Sequence, residues 1–561
     1  MTAEISDLVR TLLHKRGLTE RADIEAFLQP DYALHTHSPF LLAGMDTAVV
    51  RIMEALSRGE RIAIYADFDC DGIPGAAVLS DLFKKLEYEN FEVYLPHRDK
   101  EGYGFHTEAI ETLAARGVTL IITVDVGTTA HEAVRFAKEK GIETIVTDHH
   151  ETTEELPAAL AVLNPKLAPY PFPHLCGAAV AFKLAQALIA RGKEAGDARF
   201  VRITDGWEKW LLDLVAIATV ADMVPLVGEN RVLAYWGLEV LRKSARPGIT
   251  ALCAHLRLRK SELTEDDIGF SIAPRINAAS RMDSPELAFK LLTTRERQEA
   301  ETLAAQLDTL NASRKGVVAG MVREARKRVK GRFSPDERVI VLGDTEWKPS
   351  LLGLAANSLM GDRGGMVCLW GRDSSGNIRG SCRSDGGLSV VDVFSNASHA
   401  LVEHGGHEKS GGFTVKSEHV HTLHETFSAA AASLQAGSVA RAQGHDALVA
   451  LGEVALPLLR DITRLAPFGV GNPKPVFRIQ ETIIAAVRTF GKEKNHIELE
   501  LTCEKTGTRT RAYDFFRSSS QFSCTVSPNM PAHVLATVER DTYRGGLALR
   551  LVDVLGLEVR G

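Results

Sequence analysis

The chain has 561 residues, of which 45% are hydrophobic and 25% are charged, and its formal net charge is -6 at pH 7. This length predicts about three or four domains, and the composition excludes a largely disordered chain. A membrane span is not expected, because the longest apolar stretch, residues 211–226, is interrupted by Asp213 and Asp222. The seven cysteines form no CxxC pair and the N-terminus shows no secretory signal, so we expect a cytoplasmic protein.

Charge is unevenly distributed along the chain. A net negative charge argues mildly against a nucleic-acid-binding protein. Residues 311–333, however, contain eight Lys or Arg and only one acid, Glu324. This basic run fits a solvated helix face or a positive track for nucleic acid, and charge alone favours the solvated face.

The first third of the chain alternates short β-rich runs with helical stretches. A helical segment over residues 1–50 comes first, and the β-rich runs are 61–67, 91–96, 118–125, 142–148 and 158–165. Near-continuous apolar strands with helical crossovers predict a parallel sheet with helices on both faces. We place this α/β domain at residues 51–230.

The rest of the chain predicts a helical connector and two further domains. Residues 231–335 are mostly helical and include one long helix from Arg297 to Lys330. A second α/β unit follows at 336–435, and residues 435–446 have the small, polar composition of a linker. The β-rich runs over 446–561 are typical of a small barrel such as an OB fold.

Acidic side chains stand where the predicted strands of the first sheet end. They are Asp67, Asp69 and Asp71 after the first strand, Asp125 after the third, Asp148, His149 and His150 after the fourth, and Asp222 after a later apolar stretch. Because the carboxyl ends of parallel strands share one edge, we expect these groups to converge. Any single Asp is also explained as a helix cap. Converging carboxylates repel one another without a cation, and carboxylates mixed with imidazole favour manganese or magnesium.

The order of these motifs resembles a known superfamily. DxDxDG, DxG, DHH and an AxxAD element follow one another as in the DHH phosphoesterases. Further phrases resemble the RecJ exonucleases of that superfamily: LPHRDKEGYGF (95–105), APRINAASRMDSPELAFKLL (273–292), RGSCRS (379–384), HGGHEKSGGF (404–413) and PFGVGNPKPVF (467–477). The resemblance implies a parallel-sheet DHH domain, joined by helices to a DHH-associated α/β domain, and a C-terminal OB-like β-barrel.

The resemblance also implies roles for the acidic and histidine residues. Asp69, Asp125, His149 and Asp222 would bind one divalent ion, manganese or magnesium, and Asp67 with the bridging Asp125 would bind a second. Related pyrophosphatases have a histidine where this chain has Ala63, so the second ion is expected to bind weakly. His150 would face the scissile phosphate, whereas Asp71 would brace the loop.

A second group of residues is expected to bind substrate. These residues are Arg98, Tyr103, Arg275, Asn277, Arg281, Ser381, Arg383, Gly405, Gly406 and His407. Ser381 and Arg383 would anchor the end of a DNA strand, and the glycines would let backbone N–H groups approach a phosphate. At residues 347–359 the chain departs from the family wording, because Lys348 stands where a histidine is expected.

The resemblance implies a 5′→3′ exonuclease specific for single-stranded DNA, acting by two-metal phosphodiester hydrolysis in repair and recombination. Single-stranded DNA is then the main partner, with a single-stranded-DNA-binding protein and a helicase as further partners of a monomer. An oligoribonuclease or a cyclic-dinucleotide phosphodiesterase of the same superfamily is the alternative enzyme. A non-catalytic DNA-binding scaffold is disfavoured, because every proposed metal ligand is present.

Overall fold

The structure is a computed structural model that describes residues 5–434, 444–491, 494–503, 505–541 and 544–557. Most of the predicted linker, residues 435–443, lies outside the described residues. Contacts divide the described residues into two compact units. One comprises residues within 37–224 and 236–440, and the other residues within 1–36, 225–235 and 441–561. The five segment boundaries given above stay a prediction.

The helices and strands are named in chain order. The helices are α1 (Asp7–Lys15), α2 (Arg21–Leu28), α3 (Met45–Arg58), α4 (Gly72–Lys85), α5 (Thr107–Ala115), α6 (His131–Glu139), α7 (Gly177–Glu194), α8 (Ala198–Val201), α9 (Leu212–Ala221), α10 (Gly228–Lys243), α11 (Pro247–His255), α12 (Glu265–Asp267), α13 (Ala273–Met282), α14 (Glu286–Thr293), α15 (Arg297–Arg332), α16 (Pro349–Arg363), α17 (Val390–Asn396), α18 (Leu423–Ala432) and α19 (Leu456–Thr463). The strands are β1 (Arg61–Ala66), β2 (Phe91–Tyr94), β3 (Val118–Val124), β4 (Glu143–Thr147), β5 (Ala161–Leu163), β6 (Val339–Gly343), β7 (Met366–Arg372), β8 (Ile378–Ser384), β9 (Leu401–His407), β10 (Ser410–Val415), β11 (Ala447–Ala450), β12 (Phe477–Phe490), β13 (His496–Thr502), β14 (Arg509–Asp514), β15 (Met530–Arg540) and β16 (Leu547–Gly556).

The first sheet of the larger unit is parallel throughout, in the order β2-β1-β3-β4-β5. Its central strands β1, β3 and β4 are buried on both faces, which explains their continuous apolar sequences. Each of the five predicted β-rich runs contains one of these strands, so the predicted parallel sheet is confirmed. The order places the chain reversal between β1 and β3, and ligands of open α/β sheets bind at such a switch point.

A helical connector links this sheet to the second one. A π-helical turn, Ile268–Ile272, leads directly into α13, which carries Arg275, Asn277 and Arg281. The long helix α15 has 36 residues, ends two residues beyond the predicted Lys330, and runs without interruption past Gly316 and Gly320. Its outward face is charged, and its buried residues are spaced at helical intervals.

The second sheet of the larger unit has the order β6-β7-β8-β10-β9. Strands β6 and β7 are parallel, whereas β7–β8, β8–β10 and β9–β10 are antiparallel. Apolar residues of α16 cover one face, and those of α17 and α18 cover the other. Strand β9 forms an edge, and most of its residues after Leu401 are exposed.

The smaller unit contains a closed barrel. Strands pair in the cycle β12-β13-β14-β16-β15, and β15 pairs back to β12, so the barrel has five strands. Short β11 lies alongside β12. Val9, Leu12 and Leu13 of α1 share the core of the barrel. The three-part fold expected from the sequence is confirmed. Among the described residues, the helices are too short or too polar to cross a membrane.

Candidate metal centre

Three acidic residues lie side by side at the carboxyl edge of the first sheet. The backbone N–H groups of Asp67, Asp125 and Asp148 each donate to a carbonyl at the end of the neighbouring strand, over 2.9–3.1 Å. The hydrogen-bond ladder therefore continues one residue beyond β1, β3 and β4. This continuation holds the three backbones in register at the switch point of the sheet.

Backbone groups also fix the loop between β1 and α4. Asp69 Oδ1 accepts hydrogen bonds from the N–H groups of Asp71 (2.8 Å) and Gly72 (3.3 Å). The carboxylate of Asp71 accepts from Gly177 N (2.6 Å) and Ala178 N (2.7 Å), at the N-terminus of α7. A helix N-terminus stabilises a carboxylate at this position, so Asp71 ties the loop to α7. This matches the bracing role predicted from the sequence.

Glycines stand at Gly72 and Gly177 because the backbone there lies too close to Asp67 and Asp125 to leave room for a side chain. A Cβ atom on Gly72 would lie 2.3 Å from the carbonyl oxygen of Asp67, and one on Gly177 would lie 2.6 Å from Cβ of Asp125. Asp125 itself has φ of 62°, a left-handed conformation that Asp and Asn tolerate better than most residues. The local sequence is therefore restricted by how tightly α4 and α7 approach the acidic residues.

The predicted ligands converge in overlapping triads. Each triad offers donor atoms within 4.8 Å of one another, and the triads are Asp67–Asp69–Asp125, Asp71–His149–Asp222 and Asp125–His149–His150. His149 Nε2 lies 3.1 Å from Asp125 Oδ1, 3.5 Å from Asp71 Oδ2 and 3.6 Å from Asp222 Oδ2. All six residues predicted to be catalytic thus lie in one cluster, and Asp71 is close enough to join it.

The carboxylates of the acidic cluster are buried, and nearby positive charges compensate them only in part. Burial, and then the neighbouring carboxylates, raise the pKa of Asp67 and of Asp125 well above the usual range, and raise that of Asp222 to about 9. Oδ1 of Asp67 and Oδ1 of Asp125 are buried without a hydrogen-bond donor. Within the described ranges, Asp67, Asp69, Asp125 and Asp222 form no ion pair with Arg or Lys. Unpaired buried oxygens of this kind fit a divalent cation such as Mn²⁺ or Mg²⁺.

His150 is oriented within the cluster by Asp148. Its Nδ1 lies 2.7 Å from Asp148 Oδ1, and that carboxylate also accepts from the backbone N–H groups of Thr128 and His149. Burial disfavours the charged ring, but the hydrogen bond to Asp148 and the negative charges of Asp148, Asp67 and Asp71 together outweigh it and raise the pKa of His150. Tyr103 Oη lies 3.2 Å from the same ring. The Asp148 carboxylate therefore favours the protonated form of the His150 imidazole.

Four arginines form a second, oppositely charged group, named here the arginine cluster: Arg98, Arg281, Arg314 and Arg383. Burial lowers the pKa of each of them. The charges of Arg98, Arg314 and Arg383 lower the pKa of Arg281 further, whereas Asp69 raises it. The arginines thus lie near one another and near the acidic cluster. A buried group of like charges is stabilised by an anion, so this cluster fits a phosphate.

Two predicted substrate-binding residues are occupied by contacts within the protein. Asn277 Oδ1 accepts a hydrogen bond from Cys70 N (3.0 Å), in the middle of the DxDxD loop. Arg275 pairs with Asp308 Oδ1 through Nε (3.1 Å) and Nη2 (2.9 Å). Asn277 therefore holds the acidic loop against α13, and Arg275 joins α13 to α15.

The remaining predicted residues lie on the second sheet. Ser381 and Arg383 are on β8, and Arg383 Nη1 donates to Ser381 Oγ (3.0 Å). Gly405, Gly406 and His407 lie exposed at the end of edge strand β9. The pKa of Glu151, next to His150, is lowered first by Lys166 and to a smaller extent by His407. The GGH element is thus close to the DHH loop.

Sequence reasoning assigned no role to three contributors to the site. Asp148 orients His150, and its place in the DHH triplet was the available signal. Arg314 belongs to the basic run of α15, where charge alone did not separate it from its exposed neighbours. Lys166 lies close enough to Asp222 to lower its pKa in part, a long-range effect with no local signature.

Family models match three parts of the chain. They are the DHH family N-terminal domain over residues 61–219, the DHHA1 domain over 336–433 and the RecJ OB domain over 445–552. The single-stranded-DNA-specific exonuclease RecJ of Haemophilus influenzae is 32% identical over 92% of this chain and 91% of its own length.

The chain belongs to the RecJ family. RecJ of Bacillus subtilis is 35% identical over 90% of this chain, but the matched region spans only 62% of that longer protein. The crystal structure of RecJ from Thermus thermophilus in complex with Mn²⁺ matches 99% of this RecJ-family chain and 76% of its own, with 27% identity and a TM-score of 0.80. A second structure of that protein contains Mg²⁺.

Proposed function

We propose that this chain is a metal-dependent exodeoxyribonuclease that hydrolyses phosphodiester bonds of single-stranded DNA from the 5′ end. One observation carries the proposal. Buried carboxylate oxygens of the acidic cluster, which have no hydrogen-bond donor, lie near the buried arginine cluster. A divalent ion together with a DNA phosphate would compensate both clusters at once. Membership of the RecJ family supports the same substrate.

The acidic cluster would hold the metal. Asp69, Asp125, His149 and Asp222 would bind one ion, and Asp67 with Asp125 a second, with Asp71 as an additional neighbour. Bound Mn²⁺ or Mg²⁺ would acidify a water molecule and offset negative charge on the phosphate. The hydrogen bonds to Asp69 and Asp71 fix the loop before any ion binds, so the carboxylates need little rearrangement.

His150 would act on the phosphate rather than on the metal. Its Nδ1 is held by Asp148, which leaves Nε2 to donate a hydrogen bond to a non-bridging phosphate oxygen. The Asp148 carboxylate would favour the protonated ring, because it raises the pKa of His150. Tyr103 adjoins the ring and would limit its rotation. A preorganised donor of this kind stabilises the charge that develops on phosphorus oxygens in the transition state.

The arginine cluster and β8 would bind the end of the strand. Arg98 and Arg281 would hold the scissile phosphate, and Ser381 with Arg383 would hold a terminal 5′-phosphate. Exposed Gly405 and Gly406 would admit the backbone of one strand close to β9. The OB barrel would bind further nucleotides by stacking and backbone charge.

From family membership we also infer the 5′→3′ direction and a role in repair and recombination. On the same basis we propose a single-stranded-DNA-binding protein and a helicase as partners. We further propose that the enzyme is monomeric and cytoplasmic.

Polarity mapping on end-labelled strands tests the function. With Mn²⁺, a 5′-labelled single strand should release labelled mononucleotide at once, whereas a 3′-labelled strand should shorten progressively. Chelator should stop both reactions, and a duplex of the same sequence should resist. Cleavage restricted to di- to pentanucleotides of RNA, or to cyclic dinucleotides, would refute the proposal in favour of another DHH enzyme.

Asp69→Ala provides the matched control for binding. This variant should lose hydrolysis and largely keep its affinity for single-stranded DNA, because the arginine cluster is intact. Unchanged hydrolysis in Asp69→Ala would contradict the assignment of the metal centre.

A further inference from the structure

Two cysteines face each other across neighbouring strands of the second sheet. Cys368 lies on β7 and Cys382 on β8, and the antiparallel register pairs them directly. Both side chains are fully buried in the core formed with α17 and α18, and their Sγ atoms are 2.6 Å apart. Both cysteines are in the free form. Two thiols thus meet in a part of the molecule that the proposed reaction does not use.

The strand geometry suits a covalent bond between them. Directly opposed residues of antiparallel strands have Cα atoms about 4.5–5.5 Å apart. A disulfide requires a Cα separation of about 4.4–6.8 Å. The bond can therefore form without separating the strands, and only a small adjustment is needed to shorten the 2.6 Å between the Sγ atoms to the roughly 2.05 Å of a disulfide. Strands β7 and β8 are both internal to the sheet, so their neighbours hold this register in place.

We propose that Cys368 and Cys382 are a site of reversible oxidation, which forms a disulfide directly behind the residues that bind the DNA end. With a peroxide as oxidant, one sulfur attacks the peroxide oxygen, the O–O bond breaks, and water leaves with formation of a sulfenic acid. The second sulfur then displaces the hydroxyl group as water. Overall, the two thiols lose two electrons and two protons, and hydrogen peroxide becomes two molecules of water.

Burial sets the pace of this chemistry. Removal from water raises the pKa of the Cys368 thiol well above its usual range, so little reactive thiolate is present. Brief exposure to oxidant would leave the pair reduced, whereas sustained exposure would oxidise it. For the same reason, reduction by a bulky thiol would be slow. The disulfide would therefore form under prolonged oxidation and persist after the oxidant is removed.

Cys382 is linked to the end-binding residues through its own backbone. Arg383 Nη1 donates to the carbonyl oxygen of Cys382 (2.7 Å) and to Ser381 Oγ (3.0 Å). On the other side, a Cβ atom on Gly353 would lie 2.6 Å from Arg383 Nη2, so the guanidinium has little free space. A small shift of the Cys382 backbone would therefore move Arg383. This consequence rests on the proposed function, whereas disulfide formation does not.

Peptide mapping tests the disulfide on the full chain. The reduced protein is incubated with hydrogen peroxide, denatured with an alkylating reagent and digested for mass spectrometry. We expect a peptide that joins Cys368 to Cys382. Cys368→Ala and Cys382→Ala should each abolish it, whereas Cys253→Ala, which removes another buried cysteine, should leave it unchanged. Both cysteines alkylated after prolonged oxidation, or either joined to a different cysteine, would overturn the proposal.

Kinetics test the link to the DNA end. Oxidation should raise KM for a 5′-phosphorylated single strand by about tenfold, with little change in kcat, because end positioning is disturbed and the metal centre is not. Cys368→Ala treated in the same way should show no rise, and a reductant should restore the wild-type KM. A disulfide without any change in KM would refute the link. A chain without nuclease activity would refute the proposed function, and the peptide map would still decide whether the disulfide forms.

Discussion

The helices α4 and α9 carry acidic residues at both ends, and the two ends are built differently. At one end, Asp81 of α4 and Asp213 of α9 are buried around Arg246, whose Nη1 lies 2.5 Å from Asp81 Oδ2 and whose Nε lies 2.8 Å from Asp213 Oδ2. At the other end, the segment from Asp67 to Asp71 leads into α4, and Asp222 caps α9. Among the described residues, Asp67, Asp69 and Asp222 form no ion pair with arginine or lysine.

This difference separates structural acids from acids kept for a ligand. Asp213 also accepts a hydrogen bond from Ser244 (2.7 Å), and Asp81 pairs with Arg295 (3.1 Å), so the carboxylates around Arg246 are fully paired. Despite burial, the two acids raise the pKa of Arg246. In the acidic cluster the carboxylates instead raise one another's pKa. The paired end fixes how α4 and α9 pack, and the unpaired end is left to bind a cation.

The largest effect on hydrolysis is expected from Asp125→Asn in the acidic cluster. Asn tolerates the left-handed backbone at this position, so folding should be preserved. Loss of the charge should reduce Mn²⁺-dependent hydrolysis by about 10³-fold or more, since Asp125 contributes to two triads. In chelator, the melting temperature should stay the same or rise, because one repelling carboxylate is gone. Lower stability in chelator would show that Asp125 is structural.

The second prediction concerns the paired end. Arg246→Leu removes the buried cation that Asp81 and Asp213 share and leaves Asp213 without a charged partner, so we expect a loss of about 3–5 kcal/mol in the free energy of unfolding, measured by denaturant titration. Arg295→Leu is the matched control, since it removes the exposed partner of the same Asp81. That control should cost less than about 1 kcal/mol. Equal effects of the two variants would argue against a buried structural pair.

Removal of the metal by a chelator should change the thermal stability of the protein through the acidic cluster, and not through the acids around Arg246. The folded-state pKa of Asp222 is about 9, above its unfolded value, so its protonation stabilises the metal-free fold at low pH and that stability is lost as pH rises towards 9. A bound divalent ion would offset the charge of ionised Asp222, so the metal-loaded protein should not lose this stability as pH rises. The gap in melting temperature between Mn²⁺-loaded and chelated protein should therefore widen from about pH 5 to about pH 9. A difference in melting temperature that does not depend on pH would contradict the burial of unpaired carboxylates. In the control variant Arg295→Leu, this difference should vary with pH as it does in the wild type.

The sequence was sufficient for features that depend on local pattern. Continuous apolar runs gave the strands β1 to β5, and an acid directly after β1, β3 and β4 predicted their convergence, because parallel strands share an edge. The metal-binding edge was therefore predictable before any side chain was placed. The roles assigned to individual ligands and substrate-binding residues stay predictions.

The sequence could not show which partner each polar residue has. Asp213 and Asp222 lie in the same apolar stretch and look alike, yet only Asp213 meets an arginine, 33 residues away. Asn277 was predicted to bind substrate, but its side chain contacts Cys70 N across 207 positions. Such pairings depend on how Arg246, at the start of α11, lies against α4 and α9 and how α13 lies against the loop after β1, and no periodicity encodes that packing.

The smallest effect is expected where both charges are partly exposed. Lys348, the departure from the family wording, has its Nζ 2.8 Å from Asp99 Oδ2, next to Arg98 of the arginine cluster. Solvent screens such a pair, so Lys348→Ala should cost less than about 1 kcal/mol in unfolding free energy. Because Asp99 adjoins Arg98, which we propose to bind phosphate, KM for single-stranded DNA should change by no more than about threefold, and Asp99→Asn should behave alike. A loss as large as that of Arg246→Leu would mean that an exposed pair can fix the fold as a buried one does.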